Sequence, residues 1–177
     1  YNVCKLFYII PRGEKMFHPT AYQGTLEENY ETVLLQLKGL TYEESDLIAN
    51  LSNASALLNQ FLEDINWVGF YLNKGEELVL GPFQGLPACI RIPFHKGVCG
   101  YAATTKQTVV VKNVHEFPGH IACDGATNSE IVVPILKDDE LIGVLDIDSP
   151  RLNRFNEIDQ KYLEQFVQII VETIPTN

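Results

Sequence analysis

The chain has 177 residues, 46% of them hydrophobic, which suits one compact domain with a sizeable core. Its formal net charge of -10 argues against nucleic-acid binding, because that binding uses clustered Lys and Arg to displace counterions. No apolar run approaches the roughly 20 residues of a membrane span, and the run at 6–10 is too short for a signal-peptide core. We therefore expect a soluble, cytoplasmic protein that binds neither nucleic acid nor membranes.

The first fifteen residues differ from the rest of the chain. Residues 1–15 have no period that joins them to the following segment, and they contain Pro11 and Gly13. Met16, the only methionine, comes directly after them. We expect 1–15 to be a non-native or disordered extension and 16–177 to form a single domain.

Helical periodicity marks both ends of this domain. Apolar residues recur at helical spacing from Leu26 to Leu40 and again from Leu47 to Phe61. A last helix is expected beyond Pro150, with Asn156 as its N-cap and acidic residues in its first turn.

The middle of the chain has the period of β-strands. Turn residues at 73–75 and 137–140 predict two hairpins. The pattern predicts an α+β fold, with the terminal helices on one face of a mostly antiparallel sheet and the functional loops on the other. Strands are predicted at 66–72, 78–83, 88–94, 108–111, 130–136 and 141–148.

The last predicted strand carries two acids on one face. Side chains at i and i+2 of a strand point the same way, so Asp146 and Asp148 lie together while Leu145 and Ile147 point to the opposite face. Two like charges side by side cost free energy, unless a cation binds between them or one acid keeps its proton.

An aromatic pair is expected on the first strand. Trp67 and Tyr71 fall on one face, whereas Val68, Phe70 and Leu72 fall on the other. The all-apolar face suits packing under the helices. Although a tryptophan in a strand is more often core than ligand contact, this pair can line a cavity together with the acids.

Four cysteines, Cys4 included, are too sparse for a disulfide-stapled secreted scaffold. Cys89 is predicted on the polar face of its strand with Arg91, Cys99 in a loop that leads into a short helix, and Cys123 in a glycine-bracketed loop at 119–125. A free cysteine is by default a small buried hydrophobe. The glycines beside Cys99 and Cys123 favour accessible thiols.

Two conventional chemistries fit these cysteines poorly. A structural zinc site would use His120 and the three cysteines, but the paired short spacings of zinc ligands are missing. A Cys-His hydrolase with His120 or His115 as base leaves the other thiols and the carboxylates unexplained.

Reductive thiol chemistry uses every unusual residue. A thiolate attacks an oxidised centre, becomes a sulfenic acid and is resolved by a second cysteine into a disulfide. Attack on a sulfoxide also needs a proton for the departing oxygen, which a partly neutral carboxylic acid could supply. Glu130, at the start of a strand, is a third acid beside Asp146 and Asp148.

Seven short motifs between Leu51 and Phe155 carry a family resemblance: LSNAS at 51–55, DINWVGFY at 64–71, LGPFQG at 80–85, GVCG at 97–100, GHIACD at 119–124, NSEIV at 128–132 and GVLDID at 143–148. In these motifs the chain resembles the free methionine-(R)-sulfoxide reductases, single-domain enzymes of the GAF fold. The resemblance implies a GAF-like catalytic domain that reduces free L-methionine (R)-sulfoxide to L-methionine.

The resemblance also implies roles for the cysteines. Cys123 would be the nucleophile and Cys89 the main resolving partner, with Cys99 able to form an alternative disulfide. The family binds no cofactor; thioredoxin regenerates its thiols and is itself reduced by NADPH through thioredoxin reductase. Family members often form homodimers.

For the substrate, the resemblance implies that Trp67 and Tyr71 enclose the methyl-sulfoxide end. Glu130, Asp146 and Asp148 would bind the polar groups of the free amino acid and supply the proton. The alternative is a GAF module that senses a small ligand without catalysis.

Overall fold

The computed structural model describes residues 22–119 and 124–175. The expectations for 1–15 and for Met16 therefore lie outside the described residues. Within the described ranges, no helix combines the length and apolar character needed to cross a membrane.

Both helices predicted at the start of the domain are confirmed, as is the last one. The Asn156 side chain accepts hydrogen bonds from the backbone N–H groups of Ile158 and Asp159, so Asn156 is the N-cap that the sequence predicts. The described helices are α1 (Leu26–Leu40), α2 (Leu47–Phe61), α3 (Gly97–Thr105) and α4 (Glu157–Thr173), with a 3-10 turn at Val114–Glu116.

The described strands form one six-stranded sheet in the order β3-β2-β1-β6-β5-β4. Every pair of neighbours is antiparallel, where the sequence predicted a mostly antiparallel sheet. The strands are β1 (Trp67–Asn73), β2 (Glu77–Gly85), β3 (Arg91–Pro93), β4 (Val109–Val111), β5 (Ser129–Lys137) and β6 (Glu140–Ser149).

The two faces of the sheet bury different side chains. Val68 and Phe70 of β1 pack with Leu145 and Ile147 of β6 against helices α1, α2 and α4. Trp67, on the opposite face of β1, belongs to a second cluster that includes residues of α3. The predicted α+β arrangement, with the terminal helices on one face only, is confirmed.

The predicted strand at 88–94 is wrong over its first half. β3 covers only Arg91–Pro93, so Cys89 lies in the irregular segment before it. The Cys89 carbonyl accepts a hydrogen bond from the Tyr71 hydroxyl at 3.0 Å, where a strand residue would accept from a neighbouring strand.

The predicted position of Cys99 also needs correction. Helix α3 begins at Gly97, so Cys99 lies in its first turn and not in a preceding loop. The backbone N–H of Gly100 donates to the carbonyl of Lys96 at 3.1 Å, which closes this turn.

The register of the central strands determines which side chains meet on the α3 side. Trp67 of β1 is directly opposite Asp148 of β6, and Asp148 is directly opposite Glu130 of β5. Asp146 lies two residues from Asp148 and therefore projects from the same face. One row across the sheet thus brings an aromatic ring and the acids together.

Candidate active site

A cavity of about 40 Å³ lies between this face of the sheet and the first turn of α3. It contains most of the side chains that the sequence singled out. The lining residues are Trp67, Tyr71, Leu86, Pro87, Ala88, Ile92, Lys96, Gly97, Val98, Cys99, Asp124, Thr127, Glu130, Asp146 and Asp148.

Stacked aromatic rings form one wall of the cavity. The rings of Trp67 and Tyr71 are 5.9 Å apart at an interplanar angle of 26°, and Phe83 stacks on Trp67 from the other direction at 5.3 Å. The indole N–H donates to the Leu86 carbonyl at 3.1 Å, and the Tyr71 hydroxyl donates to the Cys89 carbonyl. Both rings are therefore fixed by hydrogen bonds to the segment around Cys89.

Three carboxyl groups, on strands β6 and β5 next to β1, form an acidic wall beside these rings. Glu130 and Asp146 are buried and Asp148 is half-buried. Burial raises the pKa of Asp146 to about 6, although hydrogen bonds from Cys99 and Glu130 oppose the shift. Burial, followed by the charge of Asp146, also raises the pKa of Glu130 and of Asp148. Near neutral pH this group of acids therefore holds protons that exposed acids would have lost.

Cys99 faces this acidic wall from the first turn of α3. It is a buried, free thiol whose Sγ lies 3.9 Å from Glu130 Oε1. Burial, then the charges of Asp146 and Glu130, raises the pKa of the Cys99 thiol. The Sγ atom and one oxygen each of Glu130 and Asp146 lie within 4.8 Å of one another, close enough to be considered as metal ligands.

Cys89 and Cys123 are the other two cysteines with predicted roles. Cys89 is disulfide-bonded, and because Cys99 is free, the partner of Cys89 lies outside the described residues. Cys123 and His120 also lie outside them, so their predicted roles stay predictions. His115 contacts Asn128 Oδ1 at 3.0 Å and is not among the residues that line the cavity.

Sequence reasoning missed several residues near the cavity mouth. Lys96 and Thr127 line the cavity, as does Asp124, the first described residue after the 120–123 segment. The Asn66 side chain donates to Asp124 Oδ2 at 2.9 Å and to Thr127 Oγ1 at 3.1 Å. These hydrogen bonds tie the loop at 124–127 to the residue just before β1. For Asn66 and Asp124 the available signal was their place inside the quoted motifs, where Asn66 precedes Trp67 and Asp124 follows Cys123.

Comparison with known proteins identifies the family. The GAF domain family matches residues 51–174. The free methionine-R-sulfoxide reductase of Escherichia coli (strain K12) is 47% identical over 149 residues, which cover 84% of this chain and 90% of the relative. The chain belongs to the GAF-domain family of free methionine-R-sulfoxide reductases.

Two solved structures of the family extend the likeness to the fold. The reduced form of fRMsr from Staphylococcus aureus is 55% identical with a TM-score of 0.81, over 83% of this chain and 96% of that one. The Neisseria meningitidis free methionine-R-sulfoxide reductase, in complex with its substrate, is 43% identical with a TM-score of 0.85, over 89% of this chain and 95% of that one. The GAF fold predicted from the motifs is confirmed.

Proposed function

We propose that this protein reduces free L-methionine (R)-sulfoxide to L-methionine, with Cys123 as the nucleophile. The observation that carries the proposal is one cavity lined both by stacked aromatic rings and by three carboxyl groups. Relatives whose names describe this activity share about half of the sequence, which supports the same substrate for this chain.

The proposed first step transfers one oxygen atom. The Cys123 thiolate attacks the sulfoxide sulfur, and the oxygen takes up a proton and passes from the substrate sulfur to Cys123 Sγ. The substrate S–O bond and the transient S–S bond break as the S–OH bond forms, so methionine leaves and Cys123 becomes a sulfenic acid. In the second step the Cys89 thiol attacks the sulfenic sulfur, which releases water and forms a disulfide. The disulfide-bonded state of Cys89 is the state expected after this step.

The acidic wall explains where the first proton comes from. With raised pKa values for Glu130, Asp146 and Asp148, the group keeps at least part of its protons near neutral pH. A neutral carboxylic acid in a cavity with little water can donate to a developing oxyanion. The proposal assigns the donor to this group of three acids.

The same wall selects the free amino acid. A free methionine sulfoxide has an ammonium group, whereas a sulfoxide inside a polypeptide has an uncharged amide at that position. Charge-assisted hydrogen bonds contribute about 1.5–3 kcal/mol each. Carboxylates that meet the ammonium group of the substrate therefore favour the unbound amino acid over a peptide.

The acidic setting of Cys99 supports a secondary role for it. A buried thiol beside carboxylates resists ionisation and is a poor nucleophile. We assign Cys99 an alternative disulfide when Cys89 cannot react. We further propose thioredoxin, reduced by NADPH through thioredoxin reductase in the cytoplasm, as the external reductant, and a homodimer as the assembly.

A coupled assay tests the function. Purified protein is mixed with thioredoxin, thioredoxin reductase and NADPH, and free methionine sulfoxide of each sulfur configuration is added separately. We expect NADPH oxidation and methionine release with the R form only. Ligand binding without turnover of either form would favour the sensing module.

A further inference from the structure

The side chains that face the cavity form a second kind of ligand set, one that suits a soft metal ion. Sγ of Cys99 and one carboxylate oxygen each of Glu130 and Asp146 lie within 4.8 Å of one another, and all three residues are buried. The Sγ–Oε1 separation between Cys99 and Glu130 is 3.9 Å. The donors come from α3, β5 and β6, so three separate elements bring them together.

A second observation points to a ligand from solution. Asp146 is only 6% exposed, and its Oδ1 atom accepts no hydrogen bond from any described residue. A buried carboxylate oxygen without a partner carries an uncompensated desolvation cost. Asp146 lines the cavity, whose 40 Å³ exceeds the roughly 10–15 Å³ that one water molecule needs.

The donor types determine which metal fits. Mg²⁺ and Ca²⁺ prefer a shell of oxygen ligands, whereas a thiolate with two carboxylates suits Zn²⁺ or its softer analogue Cd²⁺. With Zn–S near 2.3 Å and Zn–O near 2.1 Å, tetrahedral donors stand roughly 3.4–3.6 Å apart. The observed Cys99–Glu130 separation is within a few tenths of an ångström of that value, and no pair of the three donor atoms is more than 4.8 Å apart.

We propose that Cys99, Glu130 and Asp146 form a site for Zn²⁺ that is inhibitory and reversible, with water as the fourth ligand. This set differs from the zinc ligands considered from the sequence, since Cys89 is held in a disulfide and contributes no thiolate here. A Zn²⁺ ion in this position binds two of the carboxylates that the proposed function assigns to the substrate, and it would therefore inhibit turnover. The inhibitory part of the inference rests on the proposed function, whereas metal binding does not.

Binding is tested on the full chain without reductant, so that Cys89 stays in its disulfide. Cd²⁺ is titrated while its sulfur-to-metal charge-transfer absorbance is followed, and Zn²⁺ affinity is measured by calorimetry. We expect the absorbance in the wild type and its loss in Cys99→Ser. Asp146→Asn and Glu130→Gln should weaken Zn²⁺ binding by at least about tenfold, a loss typical even of supporting residues at metal sites.

The matched control is an acid outside the cavity lining. Glu140→Gln, on the exposed end of β6, should bind both metals like the wild type. A charge-transfer band that persists in Cys99→Ser, or equal Zn²⁺ affinity in all variants, would overturn the site. Circular dichroism checks folding, and Cys99→Ala replaces Cys99→Ser if the latter fails to fold.

Inhibition is measured separately in the coupled assay. Zn²⁺ should inhibit turnover, excess free methionine sulfoxide should relieve the inhibition, and EDTA should reverse it. Metal binding without competition would overturn the inhibitory role. Absence of turnover even with EDTA would instead contradict the proposed function, and the two failures are therefore distinguishable.

Discussion

Asp146 is a buried titratable residue in the cavity lining. Glu130 and Asp148 lie beside it, and its pKa is raised to about 6. An acid with a raised pKa binds its proton more tightly in the folded state than in the unfolded state. Its stabilising contribution is therefore complete below the ordinary Asp value of about 4 and is lost as the pH rises through about 6.

Replacing this acid should change how stability depends on pH. Asp146→Asn removes the titration but keeps the size of the side chain. Between pH 4 and pH 8 the wild type should lose roughly 2–3 kcal/mol of unfolding free energy relative to the variant. Urea unfolding across this range, with EDTA present, measures the difference. If the unfolding free energies of the two proteins changed with pH in the same way, the raised pKa of Asp146 would be contradicted.

The assignment of the cysteines predicts separable kinetic defects. Cys123→Ser should abolish even the first turnover, because neither described cysteine offers a ready thiolate: Cys99 is buried with a raised pKa, and Cys89 is held in a disulfide. Cys89→Ser should release about one equivalent of methionine and then recycle with thioredoxin far more slowly than the wild type, because, of the described cysteines, only the buried Cys99 thiol is left to form a disulfide. Rapid-quench measurement of methionine per enzyme distinguishes the two.

A matched control for these variants is Cys4→Ser, which replaces a cysteine outside the quoted motifs. It should cycle like the wild type. If Cys123→Ser and Cys89→Ser also cycled normally, the assignment of nucleophile and resolving cysteine would be wrong.

Helix α3 packs very closely against the chain that precedes it. Gly100 lies so near the chain before α3 that a Cβ atom there would be 2.5 Å from the Pro93 carbonyl oxygen. Displacing backbone atoms costs free energy, so α3 keeps its position only with glycine at position 100. Cys99 and the cavity-lining Val98 depend on that position.

Gly100→Ala should therefore lower the free energy of unfolding by about 1–3 kcal/mol, although alanine favours helices. The displaced α3 should also reduce kcat/KM for methionine sulfoxide. Gly125→Ala is the control, because a Cβ atom there meets no atom of the described residues within 4 Å. Urea denaturation and the coupled assay measure both effects, and equal behaviour of the two variants would contradict the account of α3.

Elements with long, regular periods were predictable from the sequence, and those that depend on distant contacts were not. Helices α1 and α2 were predicted to the residue because an apolar stripe repeats over four turns. The strand at 88–94 was overestimated because Cys89 is held by a disulfide and by Tyr71, which lies 18 positions away in sequence. No local pattern records such contacts.

The cavity was predictable only in part, for a related reason. Alternation along β1 and β6 placed Trp67 with Tyr71 and Asp146 with Asp148, and the structure confirms both pairs on the cavity side. Which strands are neighbours is a property of the whole sheet, so the pairing of Asp148 with Glu130 could not be read from spacing. Lys96 and Thr127 approach the cavity through loops and gave no periodic signal.

At the scale of the whole molecule, the layer of helices α1, α2 and α4 and the cavity lie on opposite faces of the sheet. Behind the sheet, the Tyr30 hydroxyl of α1 donates at 2.7 Å to Asp159 of α4, a fully buried carboxylate that also contacts Arg154 at 3.3 Å. This contact joins the first and last described helices. It belongs to the helix layer and has no part in the cavity lining.

This separation predicts a variant that loses stability without losing activity. Tyr30→Phe removes one hydrogen bond to a buried carboxylate and should cost about 1.5–3 kcal/mol of unfolding free energy. Its kcat/KM should stay within twofold or so of the wild type, since hydrogen-bond loss in the helix layer leaves the cavity intact.

The matched control is Tyr162→Phe, whose ring stacks on Tyr30 at 5.1 Å but whose hydroxyl makes only a 3.4 Å contact with Glu31. Thermal unfolding should rank Tyr30→Phe well below Tyr162→Phe. A large loss of kcat/KM in either variant at a temperature where it is folded would show that the two faces are coupled.

In the proposed function, the acidic wall selects an unbound amino acid through its ammonium group. The most direct test compares kcat/KM for free L-methionine (R)-sulfoxide with that for its N-acetyl derivative, which keeps the sulfoxide and loses the positive charge. Loss of one charge-assisted hydrogen bond predicts at least about a tenfold preference for the free form. Equal turnover of the two substrates would contradict the account.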